Sequence, residues 1–307
     1  MDIILHLGAH RCATTTFQAY LDQNRARLGG YGVAVWTPQV TRNGLFDGVI
    51  CPPGEDSRHH IARIRDAQHQ LDASQLIVSE ENMIGAPRNN LKHTSLYPEL
   101  TPRLQRFAEA FQGRVARLGL AIRSYESYWT SALSFAALRG EPLPDAAQRA
   151  ALARQPRTWT DMVQDIRAMF PHVPLHVWTF EAFAGRPRRQ FNMLSGRSEI
   201  SHTLDHKVNW KNTSCNLGQM RRRLRSQGRL GEVAMLPRSG KWQPFNQLEK
   251  QYLAMRYADD LRTFRSGSDP MITFTENAAI KVQRRQNMQA LPATDTGEYH
   301  DRHAKMG

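Results

Sequence analysis

The chain has 307 residues, 40% of them hydrophobic, and its 41 Lys and Arg against 28 Asp and Glu give a net charge of +13. That length permits one large domain or two small ones, with enough apolar residues for a sizeable core. No stretch reaches the roughly 18 to 20 apolar residues of a membrane span, and the start lacks a signal-peptide pattern, so the expected location is cytoplasmic. Cys12, Cys51 and Cys215 are scattered and odd in number, which indicates neither a disulfide framework nor a zinc site.

In chain order, Asp2 to Leu7 reads as an apolar strand that runs into Gly8-Ala9-His10-Arg11-Cys12-Ala13-Thr14-Thr15-Thr16-Phe17-Gln18. The helix from Thr15 is predicted to end at Gly29-Gly30, with Tyr31 to Trp36 as the next strand. Arg58 to Leu71 reads as a helix before a strand at Leu76 that ends in paired carboxylates. Leu100 to Phe111 follows as helix and Val115 to Ile122 as strand. Tyr125, Tyr128, Trp129, Ala132, Leu133, Ala136 and Ala137 then recur at helical spacing, with Ser124 placed to cap. Thr158 to Phe170 is a further helix, and Leu175 to Thr179 a strand ending near Glu181.

From about Ser198 to Asn216 the periodicity loosens, as in an acceptor-side loop or a disordered connector. Helices resume at Leu217 to Arg229 and Gln247 to Phe264, the second with Leu248, Tyr252, Met255 and Leu261 as its core stripe. After about Thr275 the chain turns polar, so residues 1–275 are read as an α/β domain and 276–307 as a partly mobile extension. Alternation of strands and helices predicts an α/β fold: a P-loop-like three-layer α/β/α arrangement around a mostly parallel sheet.

The opening has the build of a phosphate-binding loop. The first N–H groups of a helix lack intrahelical partners and sit at the positive end of its dipole, so they bind anions. Thr14, Thr15 and Thr16 add hydroxyl donors, and Arg11 a planar cationic fork. A nucleotide kinase needs G-x-x-x-x-G-K-[ST]; from Gly8 that register puts Ala13 at the second glycine and Thr14 at the lysine. The basic residue stands inside the loop instead.

The segment His-Arg-Cys-Ala-Thr-Thr-Thr-Phe-Gln resembles the 5′-phosphosulfate loop of PAPS-dependent sulfotransferases, whose bacterial members read roughly H-K-T-G-T-T-x-x-Q. The resemblance implies a donor, 3′-phosphoadenosine 5′-phosphosulfate (PAPS), a product, PAP, and no metal. It implies that Arg11, Cys12, Ala13, Thr14, Thr15 and Thr16 hold the 5′ end. Arg123, at the end of a strand, and Ser131, eight residues later, match the family's pair for the 3′-phosphate; Ser127, one turn earlier, is a rival for the hydroxyl role. The base in the family follows a strand lying between these motifs, and here that strand ends in Glu80 and Glu81. Like charge or partial burial can raise one carboxyl towards the working range. Alternation sends the two acids to opposite faces, and the reading leans to Glu80, with Glu81 in reserve and His10 as a further candidate.

The sequence also departs from the family. Ala13 replaces a usual Gly, Arg11 a common Lys, and Cys12 a usual hydroxyl. A helix start beside Arg11 is expected to lower the Cys12 thiol and expose it to oxidation. The Gly-rich stretch ending in Lys on the adenine side has only Pro237-Arg238-Ser239-Gly240-Lys241-Trp242 as a counterpart, which reads as a turn. The net charge, sharpened at Arg221-Arg222-Arg223-Leu224-Arg225 and Arg229, suits an anionic cofactor and an anionic acceptor such as a sugar polymer or lipid head group. Nucleic-acid binding is disfavoured by the absence of zinc-finger spacing, an RNP-like strand or a long basic tail. The expected activity is sulfuryl transfer to a hydroxyl or amine. The alternatives are a kinase-like P-loop enzyme and a non-catalytic PAP-binding or basic scaffold protein.

Overall fold

Runs such as Ile3-Ile4-Leu5 and Leu118-Gly119-Leu120-Ala121-Ile122 carry no polar alternation, as expected of strands covered on both faces. The computed structural model, which describes residues 1–50, 57–208 and 215–276, realises them as a six-stranded sheet. Its strands are β1 (Asp2–Gly8), β2 (Val33–Trp36), β3 (Gln75–Ser79), β4 (Val115–Ile122), β5 (Leu175–Thr179) and β6 (Ile272–Thr275). They lie in the order β2-β3-β1-β4-β5-β6, every pair parallel and flanked by helices. Ile4 faces Ile77 on one side and Arg117 on the other.

This order places the site. The chain leaves β1 towards β2 and β3, then crosses back so that β4 pairs with the other edge of β1. Ligands of open α/β sheets bind outside the carboxyl ends of strands at such a reversal. The segments following β1, β3 and β4 all emerge there.

Packing against the sheet is tight. A Cβ on Gly119 would stand 2.3 Å from Leu194 Cδ2 and 2.9 Å from Trp178 Cη2, so glycine lets the Pro187–Ser195 helix close on β4. His6, in the middle of β1, stacks on Trp178 and bonds Ser79 Oγ at 2.7 Å through Nδ1. Burial pushes its pKa down to about 4, so it belongs to the core as a neutral ring.

Several expectations change in the structure. The first helix spans Thr14–Gln23 and breaks at Asn24 before a short helix, Arg25–Gly30. Buried Asn24 turns its side chain to residue 205, accepting from the Asp205 N–H at 2.7 Å and donating to its carbonyl at 3.2 Å. The helix near the chain end covers Gln247–Ser266, but its core stripe is Leu253, Asp260 and Phe264. Leu248, Tyr252 and Met255 are exposed at 72, 38 and 55%. Asp260 decides this: its carboxylate accepts from Thr160 N–H and Oγ1 and from the Tyr125 hydroxyl, so a polar residue holds the buried side. Ser124 occupies its predicted N-cap position without a side-chain cap; Glu181 Oε1 accepts its N–H at 3.2 Å instead. β6 went unread in the sequence, because a four-residue edge strand with no fully buried position gives little signal.

Met1–Thr275 is one compact unit. Apart from Glu276, the stretch expected to be a polar extension lies outside the described residues, as do Cys51 and residues 209–214. Among the described residues no helix is long and apolar enough to cross a membrane.

Candidate functional site

The β1 loop is shaped by its backbone. Gly8 has φ 88°, and a Cβ there would meet Glu81 Cβ at 2.9 Å, so glycine allows the segment after β3 to approach. Arg11 and Ala13 both adopt positive φ, 62° and 60°. Ala13 is left-handed, with ψ 20°, a conformation that glycine adopts without strain. Thr14 Oγ1 then donates to the Ala9 carbonyl at 2.9 Å, and Thr16 and Phe17 N–H turn back to the Ala13 carbonyl.

These turns open onto a cavity of about 460 Å³, whose lining brings together His10, Arg11, Ala13, Thr14, Thr15, Thr16, Glu81 and Arg123 from the predicted set. Cys12, Ser131 and Glu80 do not line it. Ser131 lies behind the wall, accepting from Arg11 Nε at 2.9 Å. Cys12 is buried, and burial pushes its thiol up to about 12, so the expected lowering is corrected: desolvation outweighs Arg11 and Arg123.

Positive charge dominates the lining. Arg123 donates to the Arg11 carbonyl at 2.6 Å and lies 4.1 Å over the Phe180 ring. Arg11 and Arg139 share the Phe135 ring, at 5.1 and 3.4 Å from its centroid. None of these three arginines forms an ion pair with a carboxylate among the described residues. Burial lowers Arg11 and Arg123 from their ordinary values, and for Arg11 the charge of Arg123 adds to it. Two buried polar atoms here also have no hydrogen-bond partner among the described residues, Arg123 Nε and Thr16 Oγ1.

The acids after β3 divide the work. Glu80 is fully buried; it accepts from Arg42 Nε at 3.0 Å and Nη2 at 2.7 Å, from Thr41 Oγ1 at 2.6 Å, and from the Asn82 N–H at 3.0 Å. Glu81 faces the cavity, accepting from Gln18 Nε2 at 2.6 Å and Arg42 Nη2 at 2.9 Å. Burial pushes the Glu81 carboxyl up, but His10, Arg42 and the Gln18 amide together hold it below its usual value. The geometry therefore separates the two acids: Glu80 anchors Arg42, and Glu81 is the one that lines the cavity.

His10 has both ring nitrogens engaged, Nε2 with Asn82 Oδ1 at 3.1 Å and Nδ1 with the Tyr97 hydroxyl at 3.1 Å. Burial lowers its pKa, and the charge of Glu81 opposes that fall. The Tyr97 oxygen also accepts the His10 N–H at 2.8 Å, which fixes the loop where it leaves β1.

Family models give no match to this chain, and searches of curated proteins and of solved structures give none.

Arg42, Phe135, Arg139 and Phe180 went unread in the sequence. Arg42 sits in an irregular turn, Thr41–Leu45, where Gly44 has φ 93°, so no periodicity marks it. Arg139 follows the end of the Tyr125–Ala137 helix, where a cation is usual and carries no functional signal. Phe135 and Phe180 look like core residues in sequence.

Proposed function

We propose that this chain is a P-loop-like enzyme that transfers a sulfuryl group from PAPS to a hydroxyl or amine. The observation that carries the reading is the convergence, in one cavity at the reversal of strand order, of the β1 loop and Arg123 with Arg11 and Arg139, none of which forms an ion pair with a carboxylate among the described residues. The buried, unpartnered Arg123 Nε and Thr16 Oγ1 fit a ligand rich in anionic oxygens. So does the desolvation that lowers Arg11 and Arg123, since a bound dianion reverses it.

PAPS, when bound, supplies a sulfuryl group already activated by its link to the 5′-phosphate. In this reading the β1 loop and the N-terminal end of the Thr14–Gln23 helix hold that phosphate, and Arg11 meets the charge that builds on the departing oxygen. Arg123 holds the 3′-phosphate from the end of β4. Ser131 acts through Arg11, fixing its fork from behind, rather than touching phosphate. Glu81, ionised by its neighbours, receives the acceptor proton as the acceptor oxygen bonds to sulfur; its lowered pKa makes it a weak base, so positioning carries more of the catalysis than proton transfer.

One observation favours the binding-only alternative: both Glu81 oxygens are already engaged, by Gln18 and Arg42. Transfer of radiolabelled sulfuryl from PAPS into a mixed pool of sugar, lipid and amine acceptors separates the two. Metal-free transfer that falls about 100-fold or more in Glu81→Gln supports the enzyme. PAP binding without any transfer supports the sensor.

A further inference from the structure

A second surface lies on the Leu217–Ser226 and Leu230–Met235 helices, none of whose residues lines the cavity. Leu217, Met220, Leu224 and Leu236 pack with Ala137 as a small core of their own. Arg223 and Arg229 donate to the Leu138 and Ala137 carbonyls at the end of the Tyr125–Ala137 helix, which ties the two helices to the body. These two cations are therefore structural.

The remaining charge points outwards. Arg222, Arg225, Arg238 and Lys241 are exposed and form no ion pair among the described residues. The only acid between Leu217 and Lys241 is Glu232, which Arg229 Nε and Nη2 already grip at 2.6 Å each. Into the same stretch the fold puts two large apolar side chains, Leu230 and Met235, at 66 and 68% exposure.

We propose that this surface docks on an anionic lipid bilayer. Cations near such a surface gain attraction individually, and exposed Leu and Met side chains gain by entering the boundary of the acyl region. The combination decides for lipid over nucleic acid. A phosphate backbone answers the arginines but offers Leu230 and Met235 nothing, whereas a bilayer answers both. The surface does not depend on what the cavity binds.

The test is co-sedimentation of the full chain with vesicles of phosphatidylcholine alone and of equimolar phosphatidylcholine and phosphatidylglycerol. Binding is expected to the anionic vesicles only and to weaken with salt. Arg222→Gln/Arg225→Gln should weaken it about thirtyfold. Leu230→Ser/Met235→Ser should weaken it too, without changing the net charge. The control Arg88→Gln/Arg262→Gln removes the same charge from exposed positions elsewhere and should bind within about twofold of wild type. Thermal melts establish that each variant is folded. Equal binding to neutral vesicles, equal losses in the control pair, or tighter binding to duplex DNA that ignores Leu230 and Met235 would each overturn the proposal.

Discussion

Replacing Ala13 with glycine should stabilise the protein, although the same change usually does the opposite. Ala13 sits at φ 60° and ψ 20°, where an L side chain crowds the following carbonyl. Relief of that strain is worth about 1 to 2 kcal/mol. Glycine returns about 0.4 to 1 kcal/mol of this through the greater freedom of the unfolded chain. The net expectation is a gain of about 0.5 to 1 kcal/mol. Ala254 gives the matching control: exposed in the interior of the Gln247–Ser266 helix, its change to glycine should lose about 1 kcal/mol. Two identical chemical changes should thus move stability in opposite directions, roughly 1.5 to 2 kcal/mol apart. Guanidinium unfolding with a shared slope resolves that difference through the midpoints. If Ala13→Gly destabilises as much as Ala254→Gly, the strained-loop argument is wrong.

Three further outcomes follow from the geometry. Glu80→Gln removes the fully buried one of Arg42's two carboxylate partners and leaves Glu81; because Arg42 is 43% exposed and water screens it, the loss should be about 2 kcal/mol in denaturant unfolding, and a loss below about 0.5 kcal/mol would contradict the anchoring role. Gly119→Ala drives a methyl into Leu194 and the Trp178 ring and should destabilise by about 1 to 3 kcal/mol, visible as a lower Tm; an unchanged Tm would mean the Pro187–Ser195 helix moves freely. His6 sets a pH dependence: its folded pKa of about 4 lies below the unfolded value, so as pH falls from about 6.5 the unfolded chain takes a proton the folded one refuses, and stability drops by roughly 3 kcal/mol by about pH 4. Urea unfolding across that window should show a shallower fall in His6→Gln, and parallel profiles would rule His6 out as the cause.

The sheet was legible where burial is complete. β1, β3, β4 and β5 announce themselves as apolar runs, broken only by His6 in β1, Arg117 in β4 and His176 in β5, and the loop after β1 follows from its hydroxyl and basic residues. The Gln247–Ser266 helix misled because it carries two stripes: Leu248, Tyr252 and Met255 are the more apolar, but Asp260 reaches Tyr125 and Thr160 only from the other. A polar residue that wins its burial through long-range hydrogen bonds counts against itself in any hydrophobic reading. The site divides the same way. Arg123 and the loop come from motifs, whereas Arg42 reaches Glu80 and Glu81 from residues far away in sequence, and only the fold brings them together. Cys12 shows burial overriding local electrostatics, since its neighbouring arginines do not offset the loss of water.

The central claim, that the cavity is a site for a nucleotide with a 3′-phosphate, is tested most directly by calorimetric titration of PAP, with ADP as control, into wild-type protein and Arg123→Ala without metal. The account predicts metal-free PAP binding well above that of ADP, weakened in Arg123→Ala by about 3 kcal/mol, roughly 100-fold. No PAP binding, or equal affinity for ADP, would contradict it.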